Sequence, residues 1–223
     1  MQYRNEIKHI ISPGDRAMIC AGMCAVAKLD PHAEEKGYYT VRSLYFDNLA
    51  DKALREKIDG VNRREKFRIR YYDGNTSVIR LEKKVKQGGV GYKVSCPLSR
   101  EEAQKIVDGS TLWMASCDRA LVVELYAKMK SQGLRPKTIV DYERIPFVYG
   151  PGNVRVTIDY NIRTGLRCAD FLNPDCVTLP TVADIILEVK WDDYLPSVIR
   201  HAVQVKGRRA AAFSKYSACR MYG

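Results

Sequence analysis

The stretch REKFRIRYY, residues 64–72, alternates strictly. Arg64, Lys66, Arg68 and Arg70 fall on one side of an extended chain, and Glu65, Phe67, Ile69 and Tyr71 on the other. A period of two with one apolar side specifies a strand that buries that side. The pattern recurs and so constrains the whole chain. IRLEKKVK sets Arg80, Glu82, Lys84 and Lys86 against Ile79, Leu81 and Val85, with Lys83 breaking the apolar side. RNEIKHI sets Arg4, Glu6 and Lys8 on one side. VRVTIDY sets Arg155, Thr157 and Asp159 against Val154, Val156 and Ile158, and ILEVKW sets Glu188 and Lys190 against Leu187, Val189 and Trp191. DYERIPF adds Tyr142 and Arg144, and TVRSLYF adds Arg42.

Such segments predict strands near 2–11, 38–47, 63–73, 76–86, 90–97, 137–148, 153–161 and 183–192. DGN at 73–75 and QGG at 87–89 are hairpin connections, so 63–97 reads as an antiparallel meander, and PGN at 151–153 is a further hairpin turn. Helices lie between the strands. One opens at SPGD, with Ser12 as N-cap, Pro13 in the first turn and Asp15 behind it, and runs to about Lys28. Others fall near 49–58, after the capping box Ser99–Glu102, near 118–131, near 194–205 and near 214–221. Without βαβ alternation or Gly-rich βα turns, an α+β chain is expected rather than a doubly wound sheet. At 223 residues it suits a single domain.

Lys and Arg outnumber Asp and Glu by 37 to 26, a net charge of +11 spread along the chain. Such an excess selects an anionic partner: nucleic acid, a membrane surface or a small polyanion. The seven cysteines (20, 24, 96, 117, 168, 176 and 219) form no close CxxC pair, which points to free thiols in a reducing, cytoplasmic compartment. The three histidines, His9, His32 and His201, are scattered, and nothing supports a Ser-His-Asp, Cys-His or His-metal site. No run approaches the roughly 20 apolar residues of a membrane span.

Two architectures fit the charged rows. Either the apolar faces form a sandwich core and the charges meet water, or the sheet closes into a barrel with its charges inward and its apolar outside covered by the amphipathic helices. The inward arrangement sets cations side by side, and two of them 5 Å apart repel by about 3 kcal/mol at an effective dielectric near 20. A bore lined in this way calls for a polyanion inside it. Arg forks and Lys point charges suit phosphate oxygens. The few glutamates are candidates for a divalent cation, because Mg²⁺ or Mn²⁺ takes one or two carboxylates plus phosphates and water.

RNEIKHI, RSLYFDN at 42–48, REKIDG at 55–60, REKFRIRYY, LEKK at 81–84, YERIPF, VRVTIDYNI, ILEVKW and FSKYSACR occur in an order that resembles the VTC (vacuolar transporter chaperone) domain. That domain is the polyphosphate polymerase branch of the triphosphate tunnel metalloenzymes. The resemblance implies an antiparallel β-barrel, or tunnel, of about eight strands with a basic lining, flanked by helices. It implies a metal-dependent phosphotransferase that moves the γ-phosphoryl group of ATP onto inorganic polyphosphate, with Mn²⁺ or Mg²⁺ as cofactor. Carried over by position, Arg68, Arg70, Lys8 and Lys190 are the catalytic cations. Lys84, Arg144, Arg155 and Lys215 bind further phosphates, and Arg42, Arg64, Lys66 and Lys93 extend the lining. Glu188 is the main metal ligand, with Glu6 and Glu82 as second candidates.

Two departures matter. Hydrolytic relatives carry an N-terminal ExExK, whereas Arg4-Asn5-Glu6-Ile7-Lys8 lacks the first Glu, which favours the polymerase branch over CYTH-type triphosphatases. Catalytic eukaryotic domains resemble KFSKF near the C-terminal helix. Here Ala212-Phe213-Ser214-Lys215-Tyr216 lacks one lysine, with Arg208 or Arg209 as the replacement to consider. The rival readings are an inorganic triphosphatase in the same tunnel, a non-catalytic polyphosphate- or inositol-phosphate-binding module, and a nucleic-acid binder. The last lacks any recognised helix-turn-helix, RRM or zinc pattern. The eukaryotic form also carries an SPX domain and transmembrane helices. The expectation is therefore a minimal, stand-alone cytosolic version whose regulation or product export needs a separate partner.

Overall fold

The computed structural model describes residues 4–88, 90–181, 185–205, 207 and 210–221. In chain order its elements are β1 (Asn5–Ile11), α1 (Pro13–Val26), β2 (Lys28–Leu29), β3 (Tyr39–Asp47), α2 (Lys52–Ile58), β4 (Arg64–Tyr72), β5 (Asn75–Gln87) and β6 (Val90–Leu98). They continue with α3 (Arg100–Val107), α4 (Ala120–Gln132), β7 (Arg135–Tyr149), β8 (Val154–Gly165), β9 (Thr178–Pro180), β10 (Ile185–Trp191), α5 (Ser197–Ala202) and α6 (Lys215–Met221). Eight strands follow the order β1-β10-β8-β7-β3-β4-β5-β6, with the short β2 and β9 attached to β7 and β8. This is the antiparallel, helix-flanked α+β arrangement expected from the alternation.

The local signals act where the sequence places them. Ser12 accepts from the Asp15 N–H while Asp15 accepts from the Ser12 N–H, and Ser99 and Glu102 do the same at α3. Each box satisfies two of the N–H groups that a helix start leaves open. The DGN turn is a two-residue connection, since Tyr72 pairs with Asn75 and Asp73 and Gly74 both have positive φ (49° and 68°). In QGG, Gln87 pairs with Val90, while Gly89 lies outside the described residues. At PGN the chain makes a short 3-10 turn. Gly152 (φ +71°) sits so close to the Tyr194 carbonyl that a Cβ would stand 2.5 Å from it. The first helix stops at Val26, and Lys28–Leu29 instead pairs with Val148 and Phe147 of β7.

The chain packs as two compact units. The first comprises Met1–Thr40, Tyr142–Ile162 and Pro180–Ser214, and the second Val41–Asp141, Arg163–Leu179 and Lys215–Gly223. Each has its own core on the apolar side of its strands. In the first, Val156, Ile158, Leu187 and Val189 pack with Ile19 and Met23 of α1 and Ile199 of α5. In the second, Leu44, Phe67, Ile69 and Leu81 pack with Ala103 and Ile106 of α3 and Val122 and Leu125 of α4. The apolar strand faces therefore meet helices and not a second sheet, which overturns the sandwich alternative within each unit. Lys83, which interrupted the apolar side of β5, is accounted for here, because its ammonium pairs with Glu124 of α4 and Glu65 of β4.

Candidate functional site

In the first unit, register assembles the charged face. Glu6 lies opposite Lys190 and Lys8 opposite Glu188 on β1 and β10, while Glu188 lies opposite Thr157 and Lys190 opposite Arg155 on β10 and β8. Because the side-chain period is two, all six share one face. Lys8 Nζ is 2.9 Å from Glu6 Oε1 and 3.1 Å from Glu188 Oε1. Lys190 Nζ is 3.0 Å from Glu188 Oε2 and 3.7 Å from Glu6 Oε2. Arg144 of β7 forks onto Asp159 of β8 at 2.6 and 2.8 Å and comes within 4.0 Å of Glu188. Arg155 reaches Asp30 at 2.9 Å and the Tyr39 hydroxyl at 3.0 Å.

Electrostatics follow the pairing. Burial works against the Lys8 ammonium, but Glu188 and Glu6 outweigh it and hold its pKa above the ordinary lysine value. Burial dominates at Lys190, whose pKa falls despite the same two carboxylates. Burial likewise opposes the Arg144 charge, and Asp159 more than offsets it. The Thr157 hydroxyl is buried and has no hydrogen-bond partner. An unsatisfied buried hydroxyl costs about 1–3 kcal/mol. Thr157→Val, which keeps the shape and removes the hydroxyl, is therefore expected to raise the midpoint of thermal unfolding, and an unchanged or lower midpoint would show that the hydroxyl is satisfied.

The second unit carries the other face. Arg68 of β4 lies opposite Tyr45 of β3 and Glu82 of β5, Lys66 opposite Lys84, Arg64 opposite Lys86, Arg70 opposite Ser43 and Arg80, and Lys84 opposite Lys93 of β6. Eight cations on these strands thus stand with two carboxylates, Glu82 and Asp47. Glu82 is 2 % exposed. Its Oε2 accepts from Arg68 Nε at 2.7 Å and its Oε1 from Lys93 Nζ at 2.7 Å. Burial alone would raise its pKa, yet Arg68 and Arg70 hold it well below the usual carboxylate range. Asp47 accepts from the backbone N–H groups of Ala53 and Leu54 at the start of α2 and from the Tyr216 hydroxyl at 2.5 Å. Arg68 Nη1 donates to the Tyr45 hydroxyl at 2.9 Å, and Arg70 Nε to Ser43 Oγ at 2.8 Å. Burial opposes ionisation of Tyr45, but Arg68 and Arg70 pull its pKa down to about 8. Burial, with Lys57 and Arg64 adding repulsion, brings Lys66 down to about 8. The Lys66 ammonium lies 4.9 Å from the centroid of the Tyr216 ring. Lys215 opens α6 one residue earlier.

The expected residues therefore fall into two sets: Lys8, Lys190, Arg144, Arg155, Glu6 and Glu188 in the first unit, and Arg64, Lys66, Arg68, Arg70, Lys84, Lys93, Lys215 and Glu82 in the second. Arg42 needs correction. It lies opposite Tyr71, on the face turned to the helices, and forks onto Asp141 at 2.8–3.0 Å while donating to the Asn173 carbonyl at 2.7 Å. The signal was in the sequence, because Arg42 has the parity of Leu44 and Phe46. Arg208 and Arg209 lie outside the described residues. Asp159 was set on the charged face without a role, and three partners were missed. Asp159 and Tyr45 carry the right parity and were legible as face residues, whereas Asp30 sits in a loop without periodicity and Tyr39 begins a strand at the wrong end of its row.

Among the described residues no group of three His, Cys, Asp or Glu stands ready for a metal ion. A hard divalent ion bound to phosphates needs only one or two carboxylates. Glu6 and Glu188, both reached by Lys8 and with the orphaned Thr157 hydroxyl beside Glu188, fit that requirement. Glu82 is held on both oxygens by Arg68 and Lys93 just as Glu188 is by Lys8 and Lys190, so a metal ion at either carboxylate would displace a cation.

Antiparallel strands that turn their apolar faces to helices and basic rows, punctuated by glutamates, to the other side define a charge-lined sheet suited to phosphate-bearing ligands. The chain belongs to the VTC domain family, whose model matches residues 3–222, and with it to the triphosphate tunnel superfamily. A Bacillus halodurans protein described as a candidate adenylate cyclase is similar in structure, with a TM-score of 0.52 and 14% identity over 90% of this chain and 84% of that one. So is the PH1012 protein of Pyrococcus horikoshii, with a TM-score of 0.52 and 13% identity over 96% and 98%. No curated protein matches the sequence. Among the described residues no helix is long and apolar enough to cross a membrane.

Proposed function

We propose that this chain is a metal-dependent polyphosphate polymerase, acting in the cytoplasm, that transfers the γ-phosphoryl group of ATP to inorganic polyphosphate. The observation that carries the reading is the pairing of Glu6 and Glu188 with Lys8 and Lys190, on strands of the family fold whose only three histidines are absent from the charged faces. An ionised terminal oxygen of the acceptor chain attacks the γ-phosphorus. The bond from that phosphorus to the β–γ bridging oxygen breaks, and ADP leaves with the electron pair. No proton has to be removed from the nucleophile, so no general base is required, and the work left to the protein is positioning and charge stabilisation.

Lys8 and Lys190 in the first unit, and Arg68 and Arg70 in the second, would each neutralise phosphate charge within their own unit. Arg144, Arg155, Arg64, Lys66, Lys84, Lys93 and Lys215 hold the remaining phosphates. Arg42 has no part in this, being committed to Asp141. Glu188 and Glu6 would hold Mn²⁺ or Mg²⁺, which when bound draws negative charge from phosphate oxygens. Glu82 keeps Arg68 and Lys93 extended over the face.

The test is incubation with ATP and Mn²⁺ followed by product analysis. Long polyphosphate supports the reading. Orthophosphate alone would make the chain a triphosphatase, and binding without turnover a binding module. A pH effect is also expected. As pH passes about 8, Lys66 loses a positive charge and Tyr45 gains a negative one. Both changes weaken the hold on a polyanion, so polyphosphate affinity measured by calorimetry should fall between pH 7 and 9, and Lys66→Met should flatten the profile.

A further inference from the structure

Arg144 and Arg155, both in the first unit, are held differently. The Arg144 fork is spent, because Nε and Nη2 both close onto Asp159. Arg155 is gripped at Nη2, which donates to Asp30 Oδ2 at 2.9 Å and to the Tyr39 hydroxyl at 3.0 Å. Its Nε is buried and has no hydrogen-bond partner among the described residues. The side chain is nevertheless 36 % exposed. Left to itself, an arginine so exposed would turn that N–H to water, since a buried donor without a partner is costly. The grip therefore holds the guanidinium where the free protein gains least from it. The holder is itself well fixed. β2 pairs with β7, and the Asp30 N–H extends that pairing by donating to the Pro146 carbonyl at 2.9 Å. Asp30 is 7 % exposed, and its Oδ1 accepts from the His32 N–H at 3.1 Å to start the 3-10 turn Pro31–Ala33. Tyr39, also buried, opens β3.

We propose, building on the polymerase reading, that Asp30 and Tyr39 are positioning residues, which fix the Arg155 guanidinium in advance for a phosphate group and act on the substrate only through it. Arginine has large rotamer freedom, and ordering it at the moment of binding weakens capture. A guanidinium already held at one nitrogen avoids that cost and keeps its remaining N–H groups aimed in one direction. The alternative role for Asp30 has the opposite sign. Its carboxylate places a negative charge beside a phosphate site, so on charge alone its removal would tighten the hold on a polyanion. If Asp30 serves to aim Arg155, its removal loosens that hold.

The test is a double-mutant cycle on the full chain, read as the affinity for inorganic polyphosphate of defined length by calorimetry. Asp30→Asn can keep the acceptor for the His32 N–H, so the turn persists, and then sets an amide N–H against Arg155 Nη2, donor facing donor. It is expected to weaken binding about tenfold. Arg155→Ala should weaken binding at least as much, and Asp30→Asn added to Arg155→Ala should then cost nothing further. Tyr39→Phe removes only the second acceptor and gives the same cycle, with a smaller loss, should Asp30→Asn fail a thermal melt. A loss that is equal with and without Arg155 would mean that Asp30 merely holds its turn, and would overturn the proposal. Unchanged or tighter binding in Asp30→Asn, with Arg155→Ala weakened, would overturn it too and leave the polymerase reading standing. Polyphosphate binding unaffected by Arg155→Ala would remove both the positioning role and the part of Arg155 in that reading. A parent chain that does not bind polyphosphate would remove the reading itself, and the proposal with it.

Discussion

Asp159→Ala is expected to lower folding stability by about 3–5 kcal/mol, read as a fall in the urea midpoint with an unchanged m-value. Asp159 is fully buried, and both its oxygens take the Arg144 fork, at 2.6 and 2.8 Å. Removing the carboxylate leaves a guanidinium inside the protein with its nearest remaining carboxylate, Glu188, at 4.0 Å and already shared by Lys8 and Lys190. An uncompensated buried charge costs far more than the intact pair contributes, so Asp159→Ala/Arg144→Met should recover much of the loss. A cost below about 1 kcal/mol, the value of an exposed pair, would mean that Arg144 swings onto Glu188 and that Asp159 is not its anchor.

The second large effect is on activity. Glu188→Gln is expected to lower kcat/KM for polyphosphate synthesis by about 10²–10³-fold, comparable with the loss of one well-aimed electrostatic contact in other active sites. Glu188 is only 6 % exposed and holds Lys8 on one oxygen and Lys190 on the other. The amide keeps the volume but can accept on one side only, and it removes half of the carboxylate pair assigned to the metal. Glu6 remains 2.9 Å from Lys8, so the fold should persist and a thermal melt serves as the control. Turnover equal to the parent's would take Glu188 out of the metal site.

Much of this was legible before any coordinates. The period of two in REKFRIRYY, IRLEKKVK and ILEVKW assigned each side chain to a face, and the registers respect it: Arg68 meets Glu82, and Lys8 meets Glu188. Capping boxes and the Asp73–Gly74 turn were readable because their signals are local. Arg42 went astray because a motif was followed where parity pointed the other way. Asp30 was out of reach, since only the folded loop brings it to Arg155 across the sequence.

By itself the sequence determines which side chains share a face, because alternation along a strand is a covalent property of the extended chain. What only the tertiary structure decides is which charges neutralise one another. Register and loop placement pair the first unit's cations with four carboxylates and set Arg68 and Lys93 of the second against Glu82. Coulomb energy depends on distances of a few ångströms between residues far apart in the chain, and those distances do not exist until the strands are aligned.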